Sequence, residues 1–146
     1  EFSCQPISCG GKGYIQYDYI SNRTFYQFYS PSSGVLSYSL SLYDEKTLYV
    51  TLNVSGKVAA WSLEANKLIK TVSTGKAARS LDISDDGSAL FVVNFGSGTM
   101  SKVRASDMTL IQTIRVCNEP IGITFDGPSQ NTWVACYGGA IKVLSN

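Results

Sequence analysis

The chain has 146 residues, of which 44% are hydrophobic and 16% charged, and its formal net charge is +1. This length is enough to bury a core without metals, and the low charge argues against disorder. No basic run exceeds two residues and no apolar run approaches the roughly 20 residues of a membrane span, so we expect no nucleic-acid partner and no membrane span.

The chain opens with residues 1–12, which we expect to form an N-terminal tail. The tail contains Cys4 and Cys9, which either stay free or close a short loop as a disulfide worth about 2 kcal/mol. A segment dense in aromatic residues follows and is predicted to form two strands. Its aromatic residues are Tyr14, Tyr17, Tyr19, Phe25, Tyr26, Phe28 and Tyr29. Tyr offers a large rigid surface with a polar tip, so this segment is a candidate face for a protein or carbohydrate partner; packing between sheets is the structural alternative.

Three strand segments, at residues 48–52, 90–94 and 132–136, recur at a constant spacing in the rest of the chain. Each has an aromatic residue in second position, and the steps from Tyr49 to Phe91 and from Phe91 to Trp133 are both 42 residues. A turn precedes each segment, and Asp-Gly between apolar runs is a strong hairpin signal. A fixed period of this length indicates a tandem repeat architecture.

Other strands complete a four-stranded unit around each segment. A glycine turn and a second strand follow, at Gly56, Gly98 and Gly139. A further strand at 68–72 recurs at 110–114, and an inner strand is predicted at 35–40, 78–83 and 120–125. Four short strands in about 40–45 residues form the blade of a β-propeller. Residues 13–146 are therefore predicted to be all-β, as tandem four-stranded antiparallel blades of a β-propeller.

The prediction gives about three repeats. The last two strands of one blade come first, then whole blades at 35–72 and 78–114, then three strands at 120–144. Closed propellers need at least about four blades, and an open arc exposes apolar faces and unpaired strand edges. We therefore expect an incomplete ring. It is completed by a second copy, as a homo-oligomer with exchanged edge strands, or by the remainder of a larger propeller.

The repeated segments resemble the YVTN-repeat β-propeller family, whose repeats carry a Tyr-Val-Thr-Asn strand followed by a glycine turn. The segment Tyr49-Val50-Thr51-Leu52 keeps three of the four letters, Phe91-Val92-Val93-Asn94 keeps Val and Asn, and the third segment keeps Val134 and an aromatic position. The Gly-His and Trp-Asp marks of WD40 repeats are missing. The resemblance implies a propeller but little about chemistry, because propellers include enzymes and binding modules.

Cysteines and glycosylation patterns indicate the compartment in which the protein resides. Cys117 is expected just before an inner strand and Cys136 near the end of its hairpin partner, so these two can pair. A zinc site is disfavoured because the chain has no Cys-x-x-Cys pair and no His. Asn22-Arg23-Thr24 and Asn53-Val54-Ser55 match the glycosylation acceptor pattern, with ordinary turn asparagines as the alternative. Together these features favour an extracellular or cell-surface protein.

Acidic residues are the remaining candidates for chemistry. Asp85, Asp86 and Asp126 lie in predicted turns, where an Asp side chain caps its own backbone. Asp82 is expected beside Arg79, either in a salt bridge or lining a polar channel. The absence of His and of any nucleophile elbow, phosphate loop or paired-carboxylate signature argues against an enzyme. We expect no catalytic residue, no metal and no cofactor.

Three functional hypotheses follow. The first is a non-enzymatic binding or scaffold module that contacts a protein or carbohydrate through the Tyr-rich start and the loops near Asn53, Phe95 and Tyr137. The second is part of a propeller enzyme, lactonase-like or quinone-dependent, whose site another chain completes. The third is a structural protein that polymerises through open blade edges.

Overall fold

The computed structural model describes residues 46–145 in full and, ahead of them, the strands within 12–43. All regular elements in these residues are β-strands. In this described part of the chain, no helix suited to crossing a membrane is found. Cys4, Cys9, Tyr19 and Asn22 lie outside the described residues. Tyr14 and Tyr17 lie on the first strand.

Fourteen strands follow one another in the described residues. The first seven are β1 (Lys12–Asp18), β2 (Arg23–Ser30), β3 (Val35–Leu36), β4 (Leu40–Tyr43), β5 (Thr47–Leu52), β6 (Lys57–Ser62) and β7 (Lys67–Ser73). The other seven are β8 (Ala78–Ile83), β9 (Ala89–Asn94), β10 (Thr99–Arg104), β11 (Thr109–Arg115), β12 (Pro120–Asp126), β13 (Asn131–Cys136) and β14 (Ile141–Ser145).

The strands form four antiparallel sheets in chain order. The first sheet has the order β1-β2-β3, the second β4-β5-β6-β7, the third β8-β9-β10-β11 and the fourth β12-β13-β14. The predicted all-β fold and the four-stranded unit are thus confirmed, with whole units in the second and third sheets.

The predicted strand at 35–40 is wrong in its bounds. Val35–Leu36 pairs with β2 in the first sheet, and the inner strand of the second sheet is Leu40–Tyr43. The β4–β5 turn is shorter than the β8–β9 turn. As a result, the partner of Val50 is Leu40, which lies closer to Val50 along the chain than a strict 42-residue repeat of the third sheet would place it.

Neighbouring sheets pack face to face. Strand β8 contacts β4 and β5, and strand β12 contacts β8 and β9. One apolar core, with Tyr49, Leu81 and Val92, lies between the second and third sheets. Another, with Phe91 and Val134, lies between the third and fourth. Each fully buried large side chain contributes about 1.5–3 kcal/mol, so each sheet depends on its neighbour for stability.

Backbone conformation repeats even where the sequence does not. Left-handed residues precede the inner strands at Ala77 (φ 57°) and Glu119 (φ 52°), and they recur in outer turns at Asn66 (φ 46°) and Met108 (φ 55°). Only one of these four is Asn and none is Gly, although L-residues disfavour this region. Packing between strands therefore imposes the turn geometry at these positions.

The glycine turns need glycine. Gly98 has φ 68°, and a Cβ placed there would lie 2.7 Å from the Cys117 carbonyl oxygen. Gly56 has φ 63° and lies directly against the Gly75 carbonyl. These turns bring the loops of neighbouring sheets into close contact, which a side chain would prevent.

Candidate functional site

The repeated aromatic position separates the last sheet from the others. Tyr49 is 6% exposed and Phe91 is 1% exposed, whereas Trp133 is 41% exposed. The Phe91 ring stacks on Phe125 of the fourth sheet, with ring centroids 5.2 Å apart and planes 6° from parallel. The same position is thus covered by a following sheet in two repeats and is open in the third.

An apolar surface surrounds Trp133. Antiparallel pairing sets Trp133 opposite Val143, and Ala135 opposite Ile141, so these four side chains share one side of the sheet. All four are exposed, and we call them the open face. The other side of the fourth sheet, with Val134 in its centre, packs on the third sheet.

Strand β14 forms an edge beside the open face. In the second and third sheets, the strands equivalent to β14 are covered by the fourth strands β7 and β11. In the described residues, β14 pairs with β13 and no strand follows it in the sheet. Unpaired backbone groups along such an edge are a template for strand addition.

The Asp82 carboxylate links two sheets. Its Oδ2 accepts hydrogen bonds from the Phe125 N–H (2.9 Å) and the Thr124 hydroxyl (3.1 Å), and its Oδ1 accepts one from the Ile83 N–H (2.9 Å). The neighbour expected from sequence, Arg79, stacks over the Phe95 ring at 4.9 Å. The carboxylate therefore holds β8 to β12, because the paired N–H would otherwise be buried without an acceptor.

A buried polar junction lies beside the glycine turns, around Asn94, which the sequence analysis singled out only as the last letter of a repeated strand. Asn94 is fully buried, and its Nδ2 donates to the Thr99 and Ser101 hydroxyls at 3.0 Å. The Ser101 hydroxyl in turn donates to the Thr74 carbonyl. A Cβ on Gly75 would lie 2.7 Å from the Asn94 side chain, so Gly75 makes room for it. Only the paired positions of Asn94 and Gly75, across two sheets, could have revealed this contact.

The three predicted loop residues lie at one end of successive sheets. Asn53, Phe95 and Tyr137 each follow the second strand of a sheet, and the Phe95 and Tyr137 N–H groups bond to Ala77 and Glu119 carbonyls at 2.9 Å. The Asn53 Nδ2, the atom to which a glycan would be attached, donates to the Ala78 carbonyl at 3.2 Å. We call this end, formed by residues 53–57, 74–79, 95–99, 115–119 and 137–140, the glycine-turn end.

The carboxylates of the opposite end cap turns. The Asp86 Oδ1 accepts from the hydroxyl of Ser84 (2.6 Å) and from the N–H of Ser88 (3.0 Å), and these donors lower the Asp86 pKa to about 2. Asp126 accepts from the Ser129 hydroxyl, and the Asp85 carboxylate lies directly against Gly127. These contacts are those of turn stabilisation.

Cys117 and Cys136, a pair that the sequence analysis left possible, form a disulfide with their Cα atoms 6.3 Å apart. The bond ties the loop before β12 to the end of β13. Within residues 46–145, no group of His, Cys, Asp and Glu side chains is arranged to hold a metal ion.

Solved structures with the same arrangement are β-propellers or contain related domains. The Kuenenia stuttgartiensis hydrazine synthase matches 75% of this chain with a TM-score of 0.72 and 24% identity. The β-propeller domain of Cps50 (Swd1) from Myceliophteria thermophila matches 75% with a TM-score of 0.67 and 17% identity. U3-55K matches 77% with a TM-score of 0.62 and 13% identity.

The fold is that of a β-propeller. The matches cover 32%, 40% and 35% of the three neighbours, so this chain spans less than half the length of each. At these identities the likeness concerns the fold alone. No protein-family model matches the sequence, so the YVTN resemblance stays a prediction. A search of curated proteins also finds no match.

Proposed function

We propose that this chain is a non-enzymatic β-propeller binding or scaffold module of the YVTN-repeat type, which mediates protein or glycan interaction and assembly. The open face carries the proposal. Large exposed apolar surfaces mark interaction sites on soluble proteins, and here the surface repeats a position that packs against another sheet twice within the same chain.

The partner of the open face is a further propeller sheet. In the third sheet, Phe91 meets Phe125 on the inner strand of the next sheet, and Trp133 occupies the equivalent position. A second copy or the remainder of a larger propeller supplies this sheet and a strand that pairs with β14. The geometry supports both sources, because what the face requires is an apolar inner strand.

Contacts with other partners are assigned to the glycine-turn end and to the Tyr-rich strands β1 and β2. Tyr137 is 70% exposed and Val54 is 64% exposed, so an aromatic and an aliphatic side chain are available there. Aromatic residues of this kind are enriched at protein interfaces.

The proposed location is the cell surface or the extracellular space. A structural disulfide such as Cys117–Cys136 persists in oxidising compartments and is rare in the cytosol. Glycosylation at Asn53, and at Asn22, is part of this proposal.

The test is the mass of the purified chain by light scattering, for the parent and for a Trp133→Ser/Val143→Ser double variant. Val54→Ser is the matched control, because Val54 is also an exposed aliphatic residue but lies outside the open face. A defined oligomer in the parent and in Val54→Ser, lost in the double variant, supports completion by a second copy.

If the parent aggregates irregularly and the double variant does not, the result supports completion by the remainder of a larger propeller. A well-behaved monomer of the parent chain would overturn the assembly proposal.

A further inference from the structure

The glycine-turn end is a continuous surface rather than a set of separate loops. Backbone hydrogen bonds join each turn to the loop that enters a neighbouring sheet: Thr74 N–H to the Gly56 carbonyl (3.0 Å), Gly96 N–H to the Lys76 carbonyl (3.0 Å) and Val116 N–H to the Gly98 carbonyl (3.0 Å). The side chains on this end are therefore carried by one bonded framework that spans three sheets.

Charge is distributed unequally between the two ends of the sheets. The described residues of the glycine-turn end include four cations and one carboxylate: Lys57, Lys76, Arg79, Arg115 and Glu119. Among the residues that the structure describes, the turns of the opposite end carry five carboxylates and three cations: Glu64, Asp85, Asp86, Asp107, Asp126, Lys46, Lys67 and Arg104. Although the net charge of the chain is only +1, its described residues thus form a basic end and an acidic end.

The Phe95–Gly98 turn contacts residues that carry the central cations. The Arg79 guanidinium lies over the Phe95 ring at 4.9 Å. The Lys76 N–H donates to the Ser97 hydroxyl at 2.7 Å, and a Cβ on Gly96 would lie 3.0 Å from the Lys76 side chain. On the far side of the turn, Arg115 donates to the Asn118 side chain at 3.0 Å. The Arg79 and Arg115 guanidinium groups, oriented by these contacts, lose less freedom when they bind an anion.

We infer that the glycine-turn end binds an acidic segment of a partner protein. Carboxylates form charge-assisted hydrogen bonds with guanidinium and ammonium groups, and complementary charge directs encounter. Exposed Val54 and Tyr137 flank the cations and offer apolar contacts that a peptide with aliphatic or aromatic residues can use. A nucleic acid would be favoured by a longer basic track than these four cations provide.

This inference rests on the proposed function as a binding module, but it uses a different surface from the open face. The test is fluorescence anisotropy of a fluorescein-labelled peptide rich in Asp and Glu that also contains Leu and Tyr. A matched peptide has Asn and Gln in place of the acids. The protein variants are Lys76→Gln/Arg115→Gln and, as the control with the same loss of charge at the opposite end, Lys46→Gln/Lys67→Gln.

We expect the acidic peptide to bind the parent and the control alike, and to bind the Lys76→Gln/Arg115→Gln variant about tenfold more weakly. Thermal unfolding of each variant confirms that the fold is kept. Equal binding to both double variants, equal binding of the amide peptide, or stronger binding of single-stranded DNA would overturn the inference. If the acidic peptide does not bind the parent while association through the open face is intact, the inference is overturned and the proposed function stands.

Discussion

The third and fourth sheets show how the same strand pattern behaves with and without a neighbour. Strand β9 is buried at every position, whereas β13 alternates between buried and exposed residues. The chain places an aromatic residue at the same point of both strands. Whether this aromatic residue is buried depends on whether another sheet covers its side of the strand. The stability of the fold therefore comes mainly from the interfaces between sheets.

The fourth sheet has fewer strands and a covalent tie. It lacks a fourth strand in the described residues, and the Cys117–Cys136 disulfide ties the loop before β12 to the end of β13 at the glycine-turn end. The third sheet has no such bond among the described residues and is held by cores on both of its sides. The fourth sheet, which has one covered side, is thus stabilised by a crosslink, whereas the third sheet is stabilised by packing on both sides.

The largest effect should come from removing the buried aromatic residue of the third sheet. Phe91→Ala is expected to lower the free energy of unfolding by about 3–5 kcal/mol, because it leaves a cavity and removes the stack on Phe125. Trp133→Ala should cost the monomeric chain about 1 kcal/mol or less, because without a partner on the open face its side chain is half-exposed. Urea unfolding followed by circular dichroism measures both variants.

Phe91→Leu keeps the comparison available if the alanine variant does not fold, and it should still cost more than Trp133→Leu. Equal losses for the Phe91 and Trp133 variants would show that the two positions do not differ in packing.

The disulfide should give the next effect. The sequence separation of 19 residues corresponds to about 3 kcal/mol on the chain-entropy model. Reduction should therefore lower the urea midpoint of the chain. In a Cys4→Ser/Cys9→Ser variant the reductant acts on the Cys117–Cys136 bond alone, and a Cys117→Ser/Cys136→Ser variant should not respond through this bond. A midpoint that stays unchanged on full reduction of the first variant contradicts the expected role.

Much of this fold could be predicted from repetition in the sequence. The 42-residue steps located the strands of the second and third sheets, since a spacing that recurs in apolar residues reflects a recurring unit. The split of the 35–40 segment between β3 and β4 could not be predicted, because it depends on which strand each piece pairs with, β2 for Val35–Leu36 and β5 for Leu40–Tyr43. The left-handed residues Ala77 and Glu119 carry no local signal, because their conformation is imposed by neighbouring strands.

The candidate surfaces were predicted less completely. Asn53, Phe95 and Tyr137 were correctly expected in turns, since glycine turns follow them in the sequence. The partner of Asp82 was not predicted, because Phe125 and Thr124 lie in a different repeat and become neighbours only when sheets stack. The contact of Asn94 with Gly75 has the same origin. Sequence periodicity therefore predicts sheets well, and contacts between sheets poorly.

The smallest expected effect compares the acidic turns of the two sheets. In the β8–β9 turn of the third sheet, donors from Ser84 and Ser88 lower the Asp86 pKa from 3.8 to about 2, whereas in the fourth sheet Asp126 accepts a hydrogen bond from the Ser129 hydroxyl. Because the folded-state pKa is depressed, this stabilisation is fully present above pH about 4 and is lost as the pH falls towards about 2. Asp86→Asn should flatten the dependence of the urea midpoint on pH within that window, and Ser84→Ala should flatten it in part by removing the strongest donor. Because Asp86 is fully exposed, we expect a change of slope rather than a large change of stability, and a slope unaltered in Asp86→Asn would assign the acid sensitivity to other carboxylates.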